Sequence, residues 1–311
     1  MRFRISRHTF AIFAIFCLLT LYIILNVYCS SANVGTTVTV PNAPVSLGVE
    51  GWVLDCITWH RKRQSSKQGK GEILQEFRVN RTSLELGESP EQRRLFFHRI
   101  FAARDWPADD PSYQGLKASG PGSMLRNAQN MIAVMHSVIG HVESYLSQSE
   151  VSVLDAACGD MQWMSYILNA RSDIQYTGAD VVPDIITHHR RTFKRRLKNV
   201  EFIEHDIVSQ ALKHSYDIVV MRDVLQHLWM SDAVAALRRV SESGSKFLLV
   251  TTFPGTAVNV DVDKQSLGGG RKSSYNLEQL PFSLQSPICS SHDWEMEHVS
   301  LWKLPLMESS V

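Results

Sequence analysis

The stretch VSVLDAACGDMQWM, residues 151–164, decides the fold. Its first residues form an apolar, β-branched run that ends at Asp155, as in a buried strand, and MQWM begins a helical pattern. The turn between them holds one glycine, Gly159, with Ala157 and Met161 where a dinucleotide-binding loop carries further glycines. The stretch therefore predicts a strand, a tight turn and a helix, and the turn lacks the GxGxxG fingerprint of nicotinamide oxidoreductases.

Strand-like and helical segments alternate along the chain after this stretch. We predict strands at 174–180, 200–206, 216–223, 246–254 and 298–304, and helices at 161–170, 181–197 and 232–243. Pro183 suits the first turn of the second helix, while the third has Ser231 as a candidate N-cap and Gly244 as a stop signal. Such alternation is typical of βαβ units and predicts an α/β fold with a doubly wound parallel sheet.

Two helical patterns precede the first strand, at 91–106 and 123–146. Between them lies SGPGS, residues 119–123, whose glycines permit backbone conformations that other residues avoid. We predict that region 89–150 forms a helical lid over the ligand site of the main domain, residues 151–311.

Acidic residues recur where the predicted strands end, and ligands of open α/β sheets bind beyond those ends. The positions are 155–160, Asp180, Asp206 and Arg222–Asp223. A site for a nucleoside without phosphates needs one close turn and a carboxylate that accepts both ribose hydroxyls. Asp180 ends the second strand, where such a carboxylate belongs, and Asp206 ends the third, within reach of an adenine amino group.

These motifs resemble those of class I S-adenosylmethionine-dependent methyltransferases. VLDAACGD is similar to the first motif of that family, GAD at 178–180 to its ribose-binding step and EHDI at 204–207 to its adenine-binding step. A little-characterised subgroup reads SGPGS, DxxCGDfnWM, GxDIVPdlI, RDvLvHL, SGSkYLLtTTFP and NLxxpPF. Here the same order reads SGPGS, DAACGDMQWM, GADVVPDII, RDVLQHL, SGSKFLLVTTFP and NLEQLPF. The chain departs from the subgroup at GGGRKSS, residues 268–274, where a Trp-Arg-Pro segment is usual.

The resemblance implies a Rossmann-like, doubly wound, seven-stranded sheet and S-adenosylmethionine as the cofactor. It implies methyl transfer to an acceptor that these residues leave open between a glycan, a lipid, a protein and a small molecule. The alternative is a non-catalytic binding module that keeps the fold. The implied cofactor-binding residues are Trp106, Asp155, Ala157, Gly159, Asp160, Trp163, Asp180, Asp206, Ile207 and Arg222.

Asp160, Asp223 and His227 are the candidates for catalysis. Methyl transfer needs alignment above all, and a hydroxyl acceptor also needs a base, for which an imidazole has a suitable pKa. If RDVLQHL begins a helix, Asp223 and His227 lie four residues apart on one face, where the carboxylate could orient the ring. The alternative is that Asp223 caps the helix and His227 is a packed core residue. Cys158 is expected to be a packed small side chain.

The N-terminus predicts membrane attachment. Residues 1–7 carry Arg2, Arg4 and Arg7, and Phe10–Tyr28 contains only Thr20 and Asn26 as polar residues, close to the length that crosses a bilayer. The positive charges favour a cytoplasmic tail (1–7), a signal anchor (8–29), a stem (30–88) and a lumenal domain in the secretory pathway. Cleavage after the apolar run, which would release a secreted protein, is the alternative. The sequon at Asn80 is consistent with either route.

Composition excludes several functional classes. The net charge of +1 gives no overall attraction to nucleic acid, and five cysteines without metal-ligand spacing predict neither a disulfide scaffold nor a metal site. The basic stretch HHRRTFKRRLK, residues 188–198, is expected to be the solvated face of a helix. Its apolar face would hold Ile185, Ile186, His189, Phe193 and Leu197.

Overall fold

The computed structural model describes residues 87–106, 113, 115–263 and 271–307. The predicted tail, signal anchor and almost all of the predicted stem fall outside these residues, as does the sequon at Asn80. Within the described part of the chain, no helix combines the length and apolarity needed to span a bilayer.

The described residues form five α-helices and seven strands around one sheet. The helices are α1 (Pro90–Ala103), α2 (Gln129–Leu146), α3 (Gln162–Ala170), α4 (Pro183–Thr192) and α5 (Met230–Ser241). The strands are β1 (Val151–Ala156), β2 (Ile174–Asp180), β3 (Val200–Glu204), β4 (Ile218–Met221), β5 (Phe247–Thr252), β6 (Cys289–His292) and β7 (His298–Lys303).

The strand order is β3-β2-β1-β4-β5-β7-β6, which confirms the predicted seven-stranded, doubly wound sheet. The first five strands pair in parallel, and β7 runs antiparallel to both β5 and β6. After β1 the chain adds β2 and β3 on one side of that strand, and it then crosses back to add β4 on the other side. The gap beyond the carboxyl ends of β1 and β4 is therefore the switch point, where such sheets bind ligands.

Alternate residues of the buried strands pack on opposite faces of the sheet. Val153 joins the core that contains α2, α3 and α4, whereas the next residue, Leu154, joins the core that contains α5. Both side chains are fully buried. Because each face is covered by helices, the strands read as near-continuous apolar runs rather than as an apolar–polar alternation. Since α2 belongs to the first of these cores, it supports the sheet.

Several predicted boundaries were wrong. Helix α4 begins at Pro183, the predicted first helical position, but ends at Thr192, and the amides of Arg196 and Leu197 then both donate to the carbonyl of Phe193 in a separate turn. Phe193 and Leu197 are nevertheless buried, as the predicted face required.

The start of α5 also differs from its prediction. The helix begins at Met230, and Ser231 lies inside its first turn without capping it. The amide of Met230 donates instead to Asp261 Oδ1 at 2.8 Å, so a distant side chain takes the place of the local cap. Gly244 follows the helix with φ of +75°, in keeping with the predicted stop signal.

The sequence analysis missed β6 altogether. This strand is short and pairs only with β7, with Cys289 opposite Leu301 and His292 opposite His298. It places the turn at 293–297 at the same end of the sheet as the loop after β4, because Arg222 in that loop bonds Asp293.

Candidate functional site

A cleft opens beyond the carboxyl ends of β1, β2, β3 and β4. Its volume, open solvent included, is about 1100 Å³. Nine of the ten predicted cofactor residues line it, Asp155 being the exception, and so do the predicted catalytic residues Asp223 and His227. Four residues of α1, a helix within the predicted lid region, also line the cleft, and none of them was named from the sequence: Arg93, Phe97, Ile100 and Phe101.

The turn after β1 requires its single glycine. Gly159 has φ of +52°, and a Cβ atom there would lie 2.3 Å from Ser119 Oγ. Its amide donates to Asp180 Oδ2 at 3.1 Å, and its carbonyl lies 2.6 Å from His189 Nε2. His189 is fully buried, and burial lowers its pKa to about 4. The ring is therefore neutral and donates its Nε2 hydrogen to the loop.

Asp180 ends β2 and faces the cleft. Its two carboxylate oxygens accept hydrogen bonds from the amides of Gly159 and Val182, at 3.1 and 2.9 Å. Burial raises its pKa to about 6, and the backbone donors limit the rise. Since each carboxylate oxygen can accept more than one hydrogen bond, Asp180 retains capacity for a ligand hydroxyl.

Asp160 fastens the segment 118–123 to the β1 loop. Its Oδ2 accepts hydrogen bonds from the amides of Ala118 and Ser119, at 3.0 and 2.9 Å, and from Gln162 Nε2 at 2.9 Å. Its own amide donates to Ser119 Oγ. The side chain is almost fully buried. These bonds give Asp160 a structural task at the wall of the cleft and argue against a role in proton transfer.

Asp206 is held by α1. Arg93 reaches it with Nε at 3.1 Å and Nη2 at 3.2 Å, and its Nη1 lies 2.5 Å from Asp232 Oδ2. The amide of Val208 and the hydroxyl of Ser209 also donate to Asp206. An adenine amino group at the predicted position would have to share the Asp206 carboxylate with these donors. The arrangement makes Asp206 an anchor for α1, a role that the sequence pattern does not reveal.

Asp155 lies beneath the cleft rather than in its wall. Its Oδ2 accepts a hydrogen bond from the Tyr176 hydroxyl at 3.0 Å, and the side chain is buried. Burial and the nearby charge of Asp180 raise its pKa to about 7, while the Tyr176 bond opposes the rise. Asp155 therefore supports the β1 loop from below, and its predicted direct contact with a cofactor has no counterpart in the lining of the cleft.

The loop after β4 does not form the helix on which the suggested pairing of Asp223 and His227 depended. Asp223 has φ of +56°, and only Leu225–His227 forms a single 3-10 turn, so Asp223 and His227 do not share a helical face. The amide of Asp223 donates to Thr251 Oγ1 at 2.9 Å, which fixes this bend. The local geometry depends on a threonine in β5, and the sequence of the loop does not contain that information.

His227 is oriented by a carbonyl rather than by Asp223. Its Nδ1 lies 2.8 Å from the Arg271 carbonyl, so Nδ1 carries the hydrogen and Nε2 the lone pair. The ring packs against Trp106 with a centroid distance of 4.6 Å. Burial lowers its pKa to about 4, which makes the imidazole neutral and a weak base.

Arg222 joins three parts of the wall. Its Nε lies 2.7 Å from Asp293 Oδ2, its Nη2 donates to the Gly122 carbonyl, and its guanidinium lies 5.6 Å from the ring centre of Trp163. Its charge is thus already matched within the protein. Trp163 is buried and Trp106 partly exposed, and both line the cleft as predicted.

The described residues give no support to a cysteine nucleophile or to a metal site. Cys158 is buried, and burial raises the pKa of its thiol, so it is a packed side chain as predicted. No group of three His, Cys, Asp or Glu side chains in the described ranges is placed to hold a metal ion.

Part of this domain matches a known protein family. Residues 154–243 match a family model described as a methyltransferase domain. No curated protein matches the chain significantly.

Solved structures with a similar fold come from several organisms. A protein from Pyrococcus horikoshii OT3 is 19% identical, covers 59% of this chain and 95% of its own, and has a TM-score of 0.42. Magnesium protoporphyrin IX methyltransferase from Synechocystis PCC 6803, with bound SAH, is 14% identical over 71% of this chain and all of its own, with a TM-score of 0.47. A Burkholderia thailandensis 1,6-didemethyltoxoflavin-N1-methyltransferase is 14% identical, covers 75% and 95% of the two chains, and has a TM-score of 0.44.

The matched family model and the strand order confirm the resemblance of this domain to class I S-adenosylmethionine-dependent methyltransferases, and with it S-adenosylmethionine as the cofactor of that class. The matched residues run from the end of β1 to the end of α5, so they include the turn after β1 and the loop after β4.

Proposed function

We propose that this chain binds S-adenosylmethionine in the cleft and transfers its methyl group to an acceptor bound beside it. The observation that carries the proposal is the pairing of Gly159 and Asp180 at the cleft, within the matched methyltransferase domain. When bound, the cofactor supplies a methyl group on a positively charged sulfur.

The residues of the cleft fit such a molecule. Asp180 offers a carboxylate for two adjacent hydroxyls, and the close turn at Gly159 lets backbone approach the ligand. Trp106 and Trp163 add aromatic surface. Four carboxylates line the cleft, at Asp160, Asp180, Asp206 and Asp223, against two guanidinium groups. This excess of negative charge suits a cationic ligand.

Calorimetric titration of the full chain with S-adenosylmethionine tests the proposal. Asp180→Asn removes a charged acceptor of two hydrogen bonds, so we expect its affinity to fall about 10- to 100-fold. Asp184→Asn is the matched control, since Asp184 lies on α4 outside the cleft with a mostly exposed side chain. If the wild-type chain does not bind, or if both variants lose affinity equally, the proposal fails.

We further propose that the catalytic domain is lumenal and anchored by Phe10–Tyr28, with secretion after cleavage as the alternative. The support is in the sequence alone, in the apolar run and the arginines before it. Expression in a secretory system tests it, because a lumenal chain becomes glycosylated at Asn80. We expect an endoglycosidase-sensitive mass that Asn80→Gln abolishes, whereas its absence from the wild type would contradict a lumenal domain.

A further inference from the structure

Asp223, which is partly exposed, belongs to an acidic pair that the methyltransferase motifs do not describe. Its partner is Glu297, in the turn between β6 and β7, which is 2% exposed. The amide of Gln226 lies between them, with Nε2 3.1 Å from Asp223 Oδ1 and 3.5 Å from Glu297 Oε1. Lys272 Nζ lies 2.7 Å from the same Glu297 oxygen.

The surroundings of Glu297 favour its protonated form. Glu297 Oε2 is buried and accepts no hydrogen bond from any described group, a costly arrangement for an ionised carboxylate. Burial and the charge of Asp223 raise the pKa of Glu297 to about 8. Burial would also raise the pKa of Asp223, but the charge of Arg222 and the hydrogen bonds from Glu297 and Gln226 hold it below its usual value. At neutral pH, Glu297 is therefore the acid that donates and Asp223 the ionised acceptor.

Asp223 lies across the switch point from the carboxylate that is available for a nucleoside. Asp180 ends β2, whereas Asp223 follows β4 on the other side of β1. It lines the cleft with its side chain a quarter exposed. Glu297 does not line the cleft, so it can act only through Asp223.

The charges around Asp223 restrict the acceptor. The cationic side chains that line the described cleft are Arg93 and Arg222, and both are already in ion pairs. An anionic acceptor would therefore meet Asp223 without a compensating cation. An ammonium group would not lose its proton, since neither Asp223 nor His227, whose pKa lies near 4, is basic enough. A hydroxyl fits, because its proton becomes strongly acidic as the new carbon–oxygen bond forms.

We propose that the methyl acceptor is an uncharged hydroxyl group, that Asp223 binds it and takes its proton, and that Glu297 is a positioning residue that holds Asp223 by a hydrogen bond. The inference rests on the proposed methyl transfer. In the balanced step the hydroxyl oxygen bonds the methyl carbon, the carbon–sulfur bond breaks with its electron pair left on sulfur, and the hydroxyl proton passes to the Asp223 carboxylate. The product is a methyl ether.

The proton on Glu297 can be measured without any acceptor. We compare infrared spectra of the full chain at pH 7 with those of Glu297→Gln and of Glu295→Gln, an exposed control two residues away. When the spectrum of Glu297→Gln is subtracted from that of the wild type, we expect the carbonyl band of a protonated carboxyl group. This band should disappear as the pH rises through about 8. Wild type minus Glu295→Gln is expected to show none. Absence of the first band overturns the proposal, even where S-adenosylmethionine still binds and the proposed function stands.

The acceptor class is tested with a microsomal extract and methyl-labelled S-adenosylmethionine. A methyl ether is stable to mild base and uncharged, a methyl ester releases methanol, and a methylamine is retained on a cation exchanger. We expect the labelled product to be stable to base and uncharged. If the label is released as methanol, or if the product is retained on the cation exchanger, the hydroxyl assignment is wrong.

Variants separate the roles of the two acids. Asp223→Asn is expected to lower transfer at least about 100-fold with cofactor affinity retained, as for loss of a proton acceptor. Glu297→Leu is expected to lower transfer at every pH, and Glu297→Gln, which keeps a hydrogen-bond donor, is expected to retain most of the wild-type activity.

The pH dependence gives a second test. The wild type should lose activity above about pH 8, where Glu297 ionises beside Asp223, and Glu297→Gln should not. Equal activity of the Gln and Leu variants would remove Glu297 from the proposal. The titratable and charged groups that interact with Asp223 are Arg222, His227, Asp293 and Glu297, and Lys272 contacts Glu297.

Discussion

The carboxylates at the cleft differ in function because different donors reach them. Asp160 is surrounded by the amides of segment 118–123, and Asp206 by a guanidinium from α1. Asp180 meets backbone amides alone and remains able to bind a ligand. A shared residue type at the ends of parallel strands therefore yields two structural anchors and one ligand group.

His189 gives the β1 loop an acid-sensitive support. Its pKa, lowered to about 4 by burial, lies below the ordinary 6.5, so the unfolded chain binds a proton over this range that the folded chain does not. The stabilising contribution is complete above pH 6.5 and is lost as the pH falls to 4. The loss amounts to about 3 kcal/mol at pH 4.

Comparison with His189→Gln measures this contribution. Asp155, Asp180 and Glu297 have raised pKa values and act in the opposite direction, but both chains share them. Denaturant unfolding at pH 7, 5.5 and 4 should therefore show the wild type losing stability relative to the variant. A constant difference across this range would mean that the ring is not buried in its neutral form.

At the level of elements, α1 is the part of the site that depends most on buried charge. Its start is well defined, since Ser89 Oγ accepts from the Gln92 amide and Gln92 Oε1 accepts from the Ser89 amide, a capping box before Pro90. Arg93 then bonds both Asp206 and Asp232. All three side chains are buried, so the ion pairs hold the helix against the domain.

Arg93→Met should release α1. The substitution leaves two buried carboxylates without their cation, so we expect a loss of about 3–5 kcal/mol in the free energy of unfolding. Arg94→Met is the matched control on the exposed side of the same helix and should change little.

Hydrogen exchange locates the effect and remains informative where the variant is only marginally stable. Amides of α1 should exchange faster in Arg93→Met, while those of β1 and β4 remain protected. Unchanged protection of α1 would show that its apolar contacts suffice without the ion pairs.

The sequence predicted elements well wherever the pattern was local. The strands β1 to β5 and the helix starting at Pro183 follow from apolar runs and a proline. The 3-10 turn at Leu225–His227 and the start of α5 were mispredicted because Thr251 and Asp261 determine them from other segments. For the same reason the position of Asp180 was predictable, whereas the link between Arg93 and Asp206, 113 residues apart, was not.

At the level of the whole molecule, ligand binding should appear as added stability. A ligand present at 100 times its dissociation constant stabilises the folded state by about 2.7 kcal/mol. For a domain of this size we expect S-adenosylhomocysteine to raise Tm by roughly 5–10 °C. Differential scanning calorimetry measures the shift, and Asp180→Asn should remove most of it.

A nicotinamide dinucleotide is the informative comparison ligand for that experiment. The β1 turn has one glycine, so few backbone amides can approach a pyrophosphate. We expect no Tm shift with NAD at the same concentration. An equal shift with both ligands would assign the cleft to nucleotides in general rather than to S-adenosylmethionine.

The hairpin of β6 and β7 also determines when the site can form during synthesis. Arg222 awaits Asp293, 71 residues later, and Glu88 awaits Arg271, 183 residues later. A ribosome-bound chain that has already emerged through β5 therefore carries a cleft whose buried Arg222 still lacks the carboxylate of Asp293. Folding of this domain is consequently completed only after residue 297 has emerged, and a chain released before that residue would contain the matched methyltransferase segment without its acidic pair.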